Sequence, residues 1–259
     1  MKRTIVLVCA AATLLAGCGG GASTGSGPSS TAAQQTGTVT VLAAASLTAS
    51  FNQLKTQFEA AHPGVTVKIS YDGSAALVQQ ITNGVGADVF ASADQANMDK
   101  VVKAGLNDGA PQVFARNKLE IAVPPANPKG IAGFADLAKP GVVLVVCADP
   151  VPCGAATKKV SQATGVTLHP ASQETAVTTV LAKVQAGEAD AGLVYVTDVN
   201  SAGSKVKGIP FPEADKAVND YPITVLRNAP QSALAKQFVE FVRGGKGHEV
   251  LGKVGFETP

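Results

Sequence analysis

Downstream of residue 37 the apolar positions fall into two alternating rhythms. Short, almost continuous apolar runs recur at Thr38–Ala44 (TVTVLAA), Val65–Tyr71, Ala87–Ser92, Leu119–Pro124, Gly141–Cys147, Ala191–Val196 and Pro222–Arg227. Runs of this length, rich in β-branched residues, predict buried strands. Between them the spacing changes to that of a helix. Leu47, Phe51, Leu54 and Phe58 recur at i, i+4, i+7 and i+11, one face of an α-helix. Leu77, Gln80 and Ile81 predict a short helix, residues 98–105 one that stops at a glycine, and residues about 154–164 and 175–186 two more. An amphipathic helix follows from about Gln231 to Arg243, with a short terminal one after it. Repeated strand–helix–strand units with apolar strands imply α/β architecture, parallel sheets covered by helices on both faces. Pro/Gly-rich segments at 107–112, 124–133 and 208–222 read as hinges or boundaries, and no repeat of solenoid period occurs.

The first 37 residues follow another logic. Met1-Lys2-Arg3 is a short basic region, and Ile5–Ala16 is an apolar run of twelve. That is too short to span a bilayer and suits a signal segment. It ends in Leu15-Ala16-Gly17-Cys18, which resembles the lipobox of bacterial lipoproteins. Cleavage would remove residues 1–17 and leave a lipid on Cys18. Residues 18–37 then form a Gly/Ser/Thr/Ala tether without charge. Such a composition buries too little surface to order itself and gives a reach of roughly 24 Å. The expected location is extracytoplasmic, on the outer face of the cell membrane.

Charge narrows the function. Of 21 basic residues, Lys2 and Arg3 lie in the signal segment, so the remainder carries 19 basic against 19 acidic. A balanced body has no field for nucleic acid. Any anion it holds must be held by local dipoles. Cys9 leaves with the signal. Cys147 and Cys153, in CADPVPC, remain. Outside the cell such a pair is expected to form a disulfide. The competing readings are a redox pair, for which C-x-x-C is the usual spacing, and a metal site, which needs more ligands. His62, His169 and His248 are scattered.

Three places put small residues and a hydroxyl or bare backbone between a strand end and a helix start: Ala43–Leu47 around Ser46, Asp72–Leu77 around Ser74, and Pro152–Ala155. In α/β sheets ligands bind at such ends, and helix N-termini favour anions. Each serine could also be a plain N-cap. Tyr195, closing the run AGLVY, could add a phenolic donor or be a core tyrosine.

VLAAASL (41–47), GSAALVQQI (73–81), GADVFASADQANMD (86–99), GEADAGLVYVTD (187–198), FPEA (211–214) and Tyr221-Pro222 occur in this order. Together they resemble the periplasmic molybdate-binding proteins of ABC transporters, over nearly all of residues 38–259. The resemblance implies a two-lobed periplasmic-binding-protein fold of type II. Its mixed, mostly parallel sheets are flanked by helices, with the ligand in the cleft between lobes. It implies lobe 1 from 38–118 plus 224–259 and lobe 2 from 119–223. By motif, the ligand set is the Ser46 and Ser74 hydroxyls, the Cys153 and Val177 N–H groups and the Tyr195 hydroxyl. Cys153 stands where many relatives carry alanine, a swap that leaves a main-chain donor intact. Asp72, two residues before Ser74, is expected to point away from a dianion. The implied ligand is molybdate or tungstate, bound as an oxyanion with no cation-type metal ligand and no cofactor. The implied partners are a separate permease and ATPase, with the binding protein itself a monomer.

Molybdate and tungstate are fully deprotonated near neutral pH and only accept hydrogen bonds, so a donor-only site suits them. Sulfate meets the same requirement and is the alternative ligand. An enzyme is disfavoured. No G-x-S-x-G elbow occurs in the body from residue 38 onward, the one match to that pattern being Gly21–Gly25 in the tether, which follows no strand. The one S-x-x-K, Ser204–Lys207, lies in a polar, Gly-containing segment. Gly244-Gly245-Lys246-Gly247 lacks the spacing and the Ser/Thr of a P-loop. A structural or adhesive lipoprotein would have no use for three converging helix starts.

Overall fold

The structure, a computed structural model, describes residues 35–259. The expected signal segment 1–17 with Cys9, the expected lipidation site Cys18 and the expected tether as far as residue 34 lie outside the described residues. Within them stand two five-stranded sheets flanked by helices, as the alternating strand and helix spacings predicted. The sheets are mixed, with two of the four pairings in each antiparallel, where the apolar runs implied parallel sheets.

The first sheet has the order β2-β1-β3-β10-β4. Its strands are β1 (Gly37–Ala44), β2 (Val65–Asp72), β3 (Val89–Ala91), β4 (Asn107–Asn117) and β10 (Asn219–Leu226). β1 pairs in parallel with β2 and β3, whereas β10 runs antiparallel to β3 and β4. Alternation along β1 sends Val39, Val41 and Ala43 to one core and Leu42 to the other. On the first side lie α1 (Thr48–Ala61), α7 (Ser232–Arg243) and α8 (Gly245–Lys253). The predicted face Leu47, Phe51, Leu54 and Phe58 is fully buried there, with Phe51 and Phe58 edge-on to Phe238 of α7. Such pairs add about 0.5–1.5 kcal/mol each beyond area burial. On the other side α2 (Ser74–Thr82) and α3 (Gln95–Lys103) bury Leu77, Ile81, Met98 and Val101.

The second sheet has the order β7-β6-β8-β5-β9, from β5 (Leu119–Val123), β6 (Leu144–Cys147), β7 (Ser172–Glu174), β8 (Ala191–Tyr195) and β9 (Lys207–Ile209). Its helices are α4 (Pro152–Thr164), α5 (Val177–Gln185) and α6 (Val196–Ala202). The chain crosses between sheets twice, at Lys118 and at Val218. Asn117 and Asn219, the residues flanking those crossings in the first sheet, are partners in the β4–β10 ladder.

Several elements depart from the sequence reading. Residues 107–112 were expected as a hinge, yet they begin β4. Gly109 and Pro111 are tolerated because β4 is an edge strand whose pairing with β10 is irregular at this point. β7 and β9 are three-residue strands whose sequences, SQE and KGI, carry no strand signal. The apolar run 191–196 stops being strand at Tyr195, because α6 begins at Val196.

Candidate functional site

The five residues singled out from the sequence come together. Ser46, Ser74, Cys153, Val177 and Tyr195 all line one small pocket between the two sheets, with Ala45, Gly73 and Ala93 beside them. None of the residues lining it carries a charge. Two roomier depressions lie elsewhere on the second sheet's elements and include none of the five.

Each contributor sits at the start of a helical turn. β1 ends at Ala44 and the chain enters a 3-10 turn, Ala45–Leu47, that leads into α1. Ser74 is the first residue of α2, which Gly73 caps. Pro152 opens α4, where its missing N–H costs nothing, and Cys153 follows. Val177 opens α5. The first-turn N–H groups of a helix have no intrahelical partner. Among the described residues, the N–H groups of Ser46, Ser74, Cys153 and Val177 find no backbone acceptor outside helices and strands either. Residues carrying four such N–H groups and three hydroxyls therefore line one uncharged space.

Neither serine is the N-cap that its position suggested. No side-chain cap bond forms at either helix start. Ser46 Oγ is instead 2.9 Å from the Tyr221 hydroxyl, and Ser74 Oγ accepts the Ala93 N–H at 3.0 Å. Tyr195 is no plain core residue: it is 1% exposed, yet lines the pocket and accepts the Asn219 side-chain N–H at 3.0 Å. Burial, with Tyr221, Asp94 and Asp198 nearby, pushes its phenol well above the ordinary value. Burial likewise raises Tyr221. Both phenols keep their protons at neutral pH and remain able to donate.

Beneath Tyr195 lies Asp198, whose carboxylate accepts the Tyr195 N–H at 2.9 Å and fixes the start of α6. Burial outweighs that hydrogen bond and lifts Asp198 to about 7. Asp72 turns onto its own neighbour, accepting the Gly73 N–H at 2.7 Å, and does not line the pocket. Cys147 and Cys153 are joined in a disulfide, which ties the end of β6 to the first turn of α4. No group of His, Cys, Asp and Glu suited to a metal ion occurs among the described residues.

Sequence reasoning missed Tyr221, Asn219 and Ala93 as supports of the site. Tyr221-Pro222 stood among the recognised motifs, but nothing in it shows that a strand from the far end of the chain lies over Ser46. Asn219 and Tyr221, two apart on β10, share one face of the strand, and only that spacing hinted at a joint role.

The family of bacterial extracellular solute-binding proteins matches residues 39–257. The chain is 50% identical over 221 residues to the molybdate-binding protein ModA of Mycobacterium tuberculosis (strain ATCC 25618 / H37Rv), covering 85% of each chain. Among solved structures, the Azotobacter vinelandii periplasmic molybdate-binding protein aligns with a TM-score of 0.74 at 23% identity, over 85% of this chain and 99% of that one. The sulfate-binding protein SubI of Mycobacterium tuberculosis H37Rv aligns at 0.76 and 18% identity, over 86% and 87%. At these identities both structures speak for the fold alone.

Proposed function

From the premise that this chain belongs to the bacterial extracellular solute-binding proteins, a non-enzymatic transport family, we propose that it captures molybdate, and tungstate, for an ABC importer. The observation that carries this reading is the uncharged pocket where Ser46, Ser74 and Tyr195 hydroxyls meet the N–H groups of Cys153 and Val177. A half-identical relative that bears the molybdate-binding name supports it. A tetrahedral dianion that only accepts hydrogen bonds matches a ring of donors. Hydrogen bonds to a charged group contribute about 1.5–3 kcal/mol each, against association costs of about 4–15. Neutral donors and helix ends also avoid a buried counter-charge that would need pairing when the site is empty.

On this reading the two sheets are the cores of two lobes that close on the ligand. Because β10 (Asn219–Leu226) belongs to the first sheet, the boundary expected at 223/224 moves to the crossing at Val218, giving lobes of 38–117 with 219–259 and 119–217. A lipid on Cys18 holds a monomer at the membrane, and a separate permease and ATPase receive the anion. Sulfate is the second reading, favoured by the same donor-only chemistry.

Titration calorimetry with molybdate, tungstate, sulfate and hydrogen phosphate decides between them. It suits a chain without tryptophan. Tight one-to-one binding of the two metal oxyanions, with sulfate and hydrogen phosphate weak, is expected. Tight sulfate binding would keep the site and replace the ligand; no heat with any of the four would remove the function. Electrophoretic mobility of the secreted protein with and without Cys18→Ala, after labelling with a fatty acid, tests the anchor.

A further inference from the structure

We infer that Asn219 is a positioning residue that sets the selectivity of the pocket, by fixing which way the Tyr195 hydroxyl donates. Asn219 is buried beside the crossover at Val218. Its Nδ2 lies 2.7 Å from the Ala93 carbonyl and 3.0 Å from the Tyr195 hydroxyl. The identity of that atom is fixed by the first contact, because a carbonyl oxygen only accepts. One amide hydrogen goes to Ala93 and the other to Tyr195. The Tyr195 oxygen is therefore an acceptor toward Asn219, and its own proton is left for the groups on its other side, the pocket and the neighbouring Tyr221 hydroxyl.

The same residue treats Ser74 alike. The Ala93 N–H donates to Ser74 Oγ at 3.0 Å, so the serine accepts from the backbone and has its proton left for the pocket. Ala93 thus joins the two hydroxyls: its N–H serves Ser74, and its carbonyl pins the amide that serves Tyr195. With both oxygens accepting from fixed donors, the pocket presents protons and few lone pairs. An oxyanion without protons finds only complementary groups. One that carries a proton, such as hydrogen phosphate, finds the Tyr195 oxygen already engaged as an acceptor by Asn219 and competes poorly for it. The link also spans the two sheets, since Asn219 lies on β10 and Tyr195 on β8. The inference rests on the oxyanion reading above.

The test is competition calorimetry at pH 8 with molybdate and hydrogen phosphate, on the wild type, Asn219→Ala, Tyr195→Phe and the double variant. Freed from Asn219, the Tyr195 hydroxyl can rotate and accept. Asn219→Ala should weaken molybdate about tenfold and leave hydrogen phosphate unweakened, so that the ratio of the two falls about tenfold. Against a Tyr195→Phe background the same substitution should leave the ratio unchanged. A merely structural role would weaken both anions equally and act in both backgrounds; either result overturns the inference. If Asn219→Ala does not fold, Asn219→Ser, too short to serve both partners, carries the same expectation. A wild type that binds neither these anions nor sulfate overturns the oxyanion reading and this inference with it. A binding-competent wild type whose ratio does not respond to Asn219 overturns the inference alone.

Discussion

At the scale of the residue, what distinguishes the pocket is that its polar side chains are neutral and already engaged from behind. Ser74 accepts from Ala93, and Ser46 lies against Tyr221. Ser46→Ala and Ser74→Ala should each weaken oxyanion binding by about 1–3 kcal/mol, read as calorimetric Kd values. Ser74→Ala should also lower the melting temperature, since it strands the buried Ala93 N–H; Ser46→Ala should do so less. A wild-type Kd in both would remove the serines from the site. Asp198 gives a second prediction. Burial raises its folded pKa from 3.8 to about 7, so between about pH 4 and pH 7 the native state holds a proton that the unfolded chain has lost. Stability then falls as pH rises through that window, by up to roughly 1.4 kcal/mol per pH unit from this group. Its contribution is greatest below the unfolded pKa. Asp198→Asn should flatten that slope in melting curves taken from pH 4 to 8; an unchanged slope would assign it to other groups.

At the scale of the element, the site is a meeting of helix starts held by rigid strand ends. The Cys147–Cys153 disulfide fixes one of them by closing a short loop between β6 and α4. Chain entropy puts its contribution near 2 kcal/mol. Reducing it, or making Cys147→Ser with Cys153→Ser, should lower the melting temperature by several degrees. Oxyanion affinity should fall severalfold, since the Cys153 N–H would lose its preset position. Unchanged melting on reduction would mean that the loop is held by other contacts. The same elements explain how much could be read from the chain. Long apolar strands and the Leu47-Phe51-Leu54-Phe58 face announce themselves because periodicity reports burial. The five pocket residues were legible because small residues between a strand and a helix leave backbone donors bare, and because their motifs resemble a known family. β7 and β9 were not legible: three residues such as SQE or KGI become strand only when a neighbour offers a ladder. β4 was hidden by Gly109 and Pro111, which look like a break until an edge position absorbs them. Tyr221 and Asn219 could not be placed at all, since their role depends on β10 returning across the molecule.

At the scale of the whole molecule, the backbones of the two halves approach each other closely at Gly73. This residue caps α2 on the first half, and a methyl group at its Cα would sit 2.0 Å from the Thr175 carbonyl oxygen on the second. Its φ of −59° is open to any residue, so glycine is needed here for space and not for conformation. The surrounding contacts agree. Ala45 packs into the second half's core, and Asn97 Nδ2 donates to the Pro150 carbonyl at 3.3 Å. Gly73→Ala therefore acts on the distance between halves. A backbone carbonyl cannot swing aside as a side chain can, so relief must come from the halves moving apart. That would carry the Ser46 and Ser74 donors away from Cys153, Val177 and Tyr195, and hydrogen bonds weaken steeply beyond about 3.2 Å. The expected result is a Kd for molybdate at least tenfold weaker, equivalent to about 1.4 kcal/mol. The ligand-free melting temperature should stay close to wild type, because opening costs little of either core. Small-angle scattering should show the ligand-induced decrease in radius of gyration shrink in the variant. Wild-type affinity with a wild-type decrease would mean that the close approach at Thr175 is not required for capture, and that the donors can assemble with the halves further apart.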